Sequence, residues 1–218
     1  MTNMKIVNKQ IVNYNTVAWF YDALSSLVFG SSIKKAQIDL LPLIPANSKL
    51  LIVGGGTGWI LEEITKLHPS GLEITYVDSS FKMINRSKKR NYAANKVQFI
   101  EASIEQYLLP DNERLYNVII TPFIADCFSQ TDWQLVFTKL DASLQPNGLW
   151  FYTDFQLNDK SPLWQKLLLK LLYLFFRITC RIPAKQLPDV DGCFSSYKPL
   201  SKRMYFAGFI VSQAFSKG

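Results

Sequence analysis

Gly54-Gly55-Gly56-Thr57-Gly58 closes a short apolar run, and a carboxylate, Asp78, follows 20 residues after Gly58. Glycines without Cβ atoms permit a tight turn and close ligand approach, and a helix starting there leaves backbone N–H groups free. A carboxylate at the end of the next strand can accept two hydrogen bonds from a ribose diol. Together these residues suit a cofactor containing adenosine. The dinucleotide fingerprint GxGxxG, started at Gly54, needs glycine at position 59, and Trp59 stands there, which argues against a nicotinamide-dependent dehydrogenase.

Two further carboxylates can act as bases. Asp126 stands five residues past the apolar run Tyr116–Thr121, and Asp154 follows the run Gly148–Thr153. The alternative for each is a helix cap or a structural hydrogen bond. The single histidine, His68, precedes Pro69-Ser70-Gly71 and reads as a helix-end residue. Cys127, Cys180 and Cys193 are odd in number and widely spaced, without CxxC, so neither a disulfide framework nor a zinc knuckle is expected. No cluster of His, Cys and carboxylates suggests a metal site.

The elements that must hold these residues alternate in period. Tyr14, Val17, Ala18, Tyr21, Leu24, Leu27 and Val28 predict a helix stopped at Gly30, and Ser31 or Ser32 can cap a second one ending around Pro42 to Pro45. Lys49–Val53 reads as a strand leading into the glycine turn, with a helix from Trp59 to Leu67. Leu72–Val77 reads as a strand, Ser80 as the cap of a basic helix running towards Asn95, and Val97–Ile100 and Tyr116–Thr121 as further strands. Thr131 is the expected cap of the next helix, and Pro146-Asn147-Gly148 a turn before the strand Gly148–Thr153. A long helix over roughly 161–180 precedes a hairpin, Tyr197–Met204 and Phe209–Phe215 about Phe206-Ala207-Gly208. Strands separated by helices predict an α/β protein with a mostly parallel sheet covered on both faces.

A length of 218 residues favours one domain, and 48% hydrophobic with 14% aromatic residues excludes a disordered or low-complexity chain. The formal charge of +7 permits salt-sensitive attraction to anions, but the basic residues are scattered and no RNA-binding module is recognisable, so nucleic acid is not an expected partner. The N-terminal residues lack the apolar segment of a signal peptide, and a reduced, cytoplasmic setting is expected.

The motifs in order resemble those of class I S-adenosylmethionine-dependent methyltransferases. Leu50–Gly58 matches their first motif, an apolar run into GxGxG, although Ile52 stands where family members often carry an acid that orients the methionine ammonium. The segment Tyr14 to Asp22 looks like the YxxxAxxYD sequence of ubiquinone/menaquinone-type and related small-molecule enzymes. The resemblance implies a Rossmann-like, doubly wound seven-stranded core over 48–218 and an N-terminal helical lid over 1–47, together one domain. It implies S-adenosyl-L-methionine as cofactor, with Gly54, Gly55, Gly56, Thr57, Gly58, Asp78, Ser79, Met83, Ser103, Ile104 and Thr121 around it. It also places Tyr14 and Tyr21 near the methionine end, where the alternative is that they are core aromatics. Ser103 stands where the family usually has Asp, and Leu144–Gly148 looks like its LxPGG turn. Methyl transfer to a small, lipophilic or aromatic acceptor is implied, with Asp126 and Asp154 as candidate bases. A catalytically weak, cofactor-binding or regulatory relative is the alternative that Ile52 and Ser103 raise.

The late helix bears on the acceptor. Lys166, Lys170, Arg177 and Arg181 fall within about 60° of arc, and nearly everything else on it is apolar. It reads either as a core helix with a narrow solvated stripe or as a peripheral membrane contact with basic residues for anionic headgroups. Its longest uncharged stretch is six residues, far short of the ~18 a bilayer span requires.

Overall fold

A computed structural model describes residues 21–107, 115–180, 182 and 184–218. Tyr14 and Arg181 lie outside these, as does the side chain of Tyr21. The run Lys49–Val53 forms β1 at the expected bounds because every residue after Lys49 is apolar and buried on both sides. β2 (Ser70–Asp78) and β3 (Ala94–Glu101) extend the sheet on one side, and β4 (Tyr116–Pro122) and β5 (Leu144–Phe155) on the other, all parallel. β6 (Lys198–Tyr205) and β7 (Ile210–Ser216) form the antiparallel hairpin, which gives the order β3-β2-β1-β4-β5-β7-β6. β7 lies inside this order against β5, and β6 forms the edge.

Alternation along the strands divides the core into two layers. Leu50, Ile52, Val118, Ile120 and Phe151 face α3 (Trp59–Leu67) and α4 (Phe81–Ser87), whereas Leu51, Val53, Ile119, Trp150 and Tyr152 face α5 (Gln130–Ser143). A third cluster joins α1 (Tyr21–Phe29), α2 (Ser32–Ile38) and α6 (Leu163–Thr179) to the hairpin end through Phe29, Phe155, Leu169, Tyr173 and Phe209.

Four local expectations are corrected. α4 stops at Ser87 rather than continuing towards Asn95, because past Ile84 and Ser87 the segment has no further buried face and Arg90 is drawn back to the glycine turn. The cap of α5 is Ser129, not Thr131: its Oγ accepts the Asp132 N–H at 3.3 Å. Ser31 sits at the start of α2 without a side-chain cap bond. The Pro146-Asn147-Gly148 turn falls inside β5, where pairing with β4 jumps from Tyr116–Leu144 to Val118–Leu149 and three residues loop out. Among the described residues no helix is long and apolar enough to cross a membrane.

Candidate cofactor and acceptor site

Strand order reverses between β1 and β4, and in open α/β sheets the ligand crevice lies beyond the carboxyl ends of the strands at that point. The glycine turn leaves β1 there. Its backbone is propped from below: Tyr76 Oη and Ser87 Oγ both donate to the Gly56 carbonyl, at 3.1 and 2.9 Å. Arg90 Nε donates to the Thr57 carbonyl at 3.0 Å. The buried Tyr76 ring occupies the space that any side chain at Gly55 would need, so the first strand-to-helix turn accepts only glycine at that position. Gly56 differs. It has φ +63°, and nothing lies within 4 Å of the place a Cβ would take. The turn is therefore rigid underneath and open above.

Asp78 ends β2 beside this opening. Its Oδ2 accepts the Gly56 N–H at 3.1 Å and its Oδ1 the Ser80 N–H at 2.9 Å. Burial pushes the carboxyl up to about 6, against the lowering effect of those two bonds. Each oxygen retains a further lone pair. Ser79 is half-buried next to it, and Ser80 caps α4 by accepting the Met83 N–H. The Met83 side chain is buried. Ser103 is half-buried past β3, where its carbonyl accepts the N–H groups of Gln106 and Tyr107, and Ile104 is buried.

The Thr121 hydroxyl is committed elsewhere. It accepts the Trp150 indole N–H at 2.9 Å and donates to the Phe151 carbonyl, so the hydroxyl of this buried residue is spent inside the sheet. His68 is the C-terminal cap residue of α3, and its carbonyl accepts the Asn95 amide at the sheet end away from the turn.

A residue the sequence did not single out lies on the turn. Asp22 of α1 accepts the Thr57 hydroxyl at 2.8 Å and lies 3.9 Å from the Arg90 guanidinium, which also pairs with Glu62 at 3.3 Å. The signal was present, since Asp22 closes the segment that begins at Tyr14, but its partner is 35 residues away.

Asp126 and Asp154 come together on the other side of the crevice. Asp154 is fully buried and acts as an anchor: Oδ2 accepts the N–H groups of Ala125 and Asp126, and Oδ1 that of Phe155. These bonds fix the short turn Ala125–Cys127 that carries Asp126. The turn begins at Phe123, whose φ of +51° is strained for a bulky residue. Desolvation pushes the half-buried Asp126 carboxyl up to about 7, while the Cys127 thiol, donating at 3.4 Å, works the other way. Burial raises Asp154 as well, and the neighbouring Asp126 charge adds to it.

From α6, Tyr173 brings a buried hydroxyl with no hydrogen-bond partner among the described residues. Burial raises its phenol, and the charges of Asp126 and Asp154 raise it further. Nothing in the spacing of the sequence pointed to Tyr173, since its proximity depends on how α6 packs. Among the described residues no group of three or more potential ligands could hold a metal.

Residues 50–148 match the protein family described as a methyltransferase domain. No curated protein matches the chain in sequence. Among solved structures the chain is similar to the Burkholderia thailandensis 1,6-didemethyltoxoflavin N1-methyltransferase, solved with that substrate and S-adenosylhomocysteine, at a TM-score of 0.62 and 12% identity over 92% of this chain and 84% of that one. It is also similar to the methyltransferase solved with the Haloferax volcanii Trm112 methyltransferase activator, at a TM-score of 0.68 and 9% identity over 93% and 96%. The Bradyrhizobium japonicum N-methyltransferase NodS, in complex with S-adenosylhomocysteine, gives 0.59 and 13% over 84% and 86%. The chain carries the class I methyltransferase fold, a seven-stranded Rossmann-like sheet closed by an antiparallel hairpin.

Proposed function

We propose that the chain transfers a methyl group from S-adenosyl-L-methionine to a small, lipophilic or aromatic acceptor. The observation that carries this reading is the open face of Gly56 beside the buried Asp78 carboxylate, at the point where strand order reverses. Asp78 would hold the ribose diol with the lone pairs its backbone bonds leave free, and a carboxyl near 6 is mostly ionised at neutral pH. Ser103 and Ile104 would contact adenine. Ile52 is buried and offers no charge to the methionine ammonium, so we assign that role to Asp22, the carboxylate that α1 lays on the turn. The bound cofactor supplies a methyl carbon made electrophilic by its sulfonium, so the protein's task is placement and proton removal.

Asp126 is the base in this reading, and Asp154 positions it. Three backbone N–H groups occupy Asp154, whereas the Asp126 carboxyl, with the Cys127 thiol and its own backbone N–H as donors, is poised near 7. Tyr173 would meet the acceptor with its unpartnered hydroxyl. Three features support a small acceptor: the Phe123–Phe155 ring pair next to the turn that carries Asp126, the likeness to an enzyme solved with bound 1,6-didemethyltoxoflavin, and the burial of the acidic pair.

The test is thermal unfolding with S-adenosylmethionine and S-adenosylhomocysteine. A ligand at a hundredfold excess over its Kd adds about 2.7 kcal/mol of stability. Asp78→Ala is expected to abolish most of the resulting rise in Tm; no rise with either compound in the unaltered protein overturns the reading. The buried Ile52 favours a second one, a binding protein without transfer. Cofactor binding with no methylation across a broad acceptor panel would select it.

A further inference from the structure

α6 has two unlike sides. Inward, Gln165, Leu169 and Tyr173 are buried against the hairpin end and the acidic pair. Outward, Leu163, Leu167, Leu171, Leu174 and Ile178 fall within about 80° of arc and are all exposed, Leu163 by 82% and Ile178 by 72%. Five branched apolar side chains in one stripe are not the narrow solvated face of a core helix. The basic residues Lys166, Lys170 and Arg177 occupy the adjoining arc of about 40°, between the buried side and the stripe.

We infer that this stripe docks on an anionic lipid surface. The chemistry on the helix decides the occupant. A helix lying in the bilayer interface buries an apolar face among acyl chains and sets cations at the headgroup level, which is the order of arcs found here. α6 contains no Asp or Glu, so a second copy packed on the same stripe would bring Lys170 and Arg177 near their own counterparts with no carboxylate of the helix to neutralise them. An anionic membrane removes that conflict and suits the net charge of +7. The helix is too short and too charged to cross the bilayer, so it would lie along it. With Tyr173 on its inner side, a docked α6 would separate the bilayer from the acidic pair by one helix. Acceptors dissolved in lipid would then have a short route inward.

Flotation with vesicles tests the docking without any cofactor, so its outcome is separate from that of methyl transfer. The full chain is expected to float with phosphatidylcholine vesicles containing phosphatidylglycerol and to be released by high salt. Binding to vesicles of phosphatidylcholine alone should be much weaker. Lys170→Gln with Arg177→Gln should weaken binding about 25-fold, at about fivefold per charge. Leu167→Gln with Leu171→Gln should weaken it by about tenfold or more while leaving Tm unchanged, since both side chains are exposed. No flotation with anionic vesicles, or flotation unaffected by both pairs of substitutions, overturns the inference. So does a dimer in sedimentation velocity that the leucine substitutions dissociate.

Discussion

The two halves of the crevice are built on opposite plans. On the β1–β2 side nearly every polar group is answered: Gly56 is held by Tyr76 and Ser87, Thr57 by Asp22 and Arg90, and Asp78 by two N–H groups. On the β4–β5 side Asp154 is held by three N–H groups, but the Asp126 carboxyl is desolvated beside it and the buried Tyr173 hydroxyl has no hydrogen-bond partner among the described residues. The first side is a preformed mould, which a recurring ligand can use without reorganising the protein. On the second side burial disfavours the charge of two neighbouring carboxyls, and a proton or a bonding partner from outside offsets that cost. A donor common to many reactions and an acceptor peculiar to one would select for these two plans.

Substitutions can break this contrast. The largest effect should come from Asp126→Asn, which is expected to lower kcat by about 10²- to 10⁴-fold while S-adenosylhomocysteine binds as before. If Asp126 is the proposed base, kcat of the unaltered protein should rise with pH through about 7 as Asp126 loses its proton, and the variant should lack that limb. Stability has the opposite sign. The folded carboxyl is raised, so the native state binds more protons than the unfolded one between about pH 4 and 7, and Tm should fall across that window as pH rises. Asp126→Asn should flatten the fall, as read by scanning calorimetry.

On the mould side, Gly58→Ala places a methyl group 2.7 Å from the Ser87 backbone at a φ of +78°, and should cost about 3 kcal/mol in urea unfolding. Gly56→Ala meets open space, so the strain of its φ alone should cost about 1 kcal/mol, while cofactor affinity falls far more than stability does. The smallest effect belongs to Tyr173→Phe. Removing an unpartnered buried hydroxyl should leave stability unchanged or raise it by about 1 kcal/mol, with a higher KM for the acceptor and an unchanged Kd for the cofactor. A large loss of stability would mean that the hydroxyl has a partner and that the contrast is weaker than described.

What could be read from the sequence was local. β1 was legible because an apolar run of strand length ends in glycines, and Ser80 because a hydroxyl sits three residues before the N–H it caps. The halt of α4 at Ser87 was not, because Arg90 is taken by a carbonyl 33 residues earlier. Thr121 was expected around the cofactor from the resemblance, yet the direction of its hydroxyl depends on Trp150 in the next strand. Tyr76 and Ser87 looked like ordinary strand and helix residues, and only the fold brings them under Gly56. For α6, helical arithmetic located the cations but could not decide which apolar arc is covered when almost every other residue is apolar.

One fastening ties distant parts of the molecule. The Ser212 hydroxyl donates to the Ala36 carbonyl across 176 residues, and Asp39 accepts from Arg203 and Tyr205 across 164 and 166. The helices that deliver Asp22 are thus clamped by the hairpin that fills the far side of the sheet. Such remote pairing must wait for long loops to close, so assembly should be slow and its last step should seat the N-terminal helices. During synthesis those helices would leave the ribosome long before the hairpin that anchors them has been made.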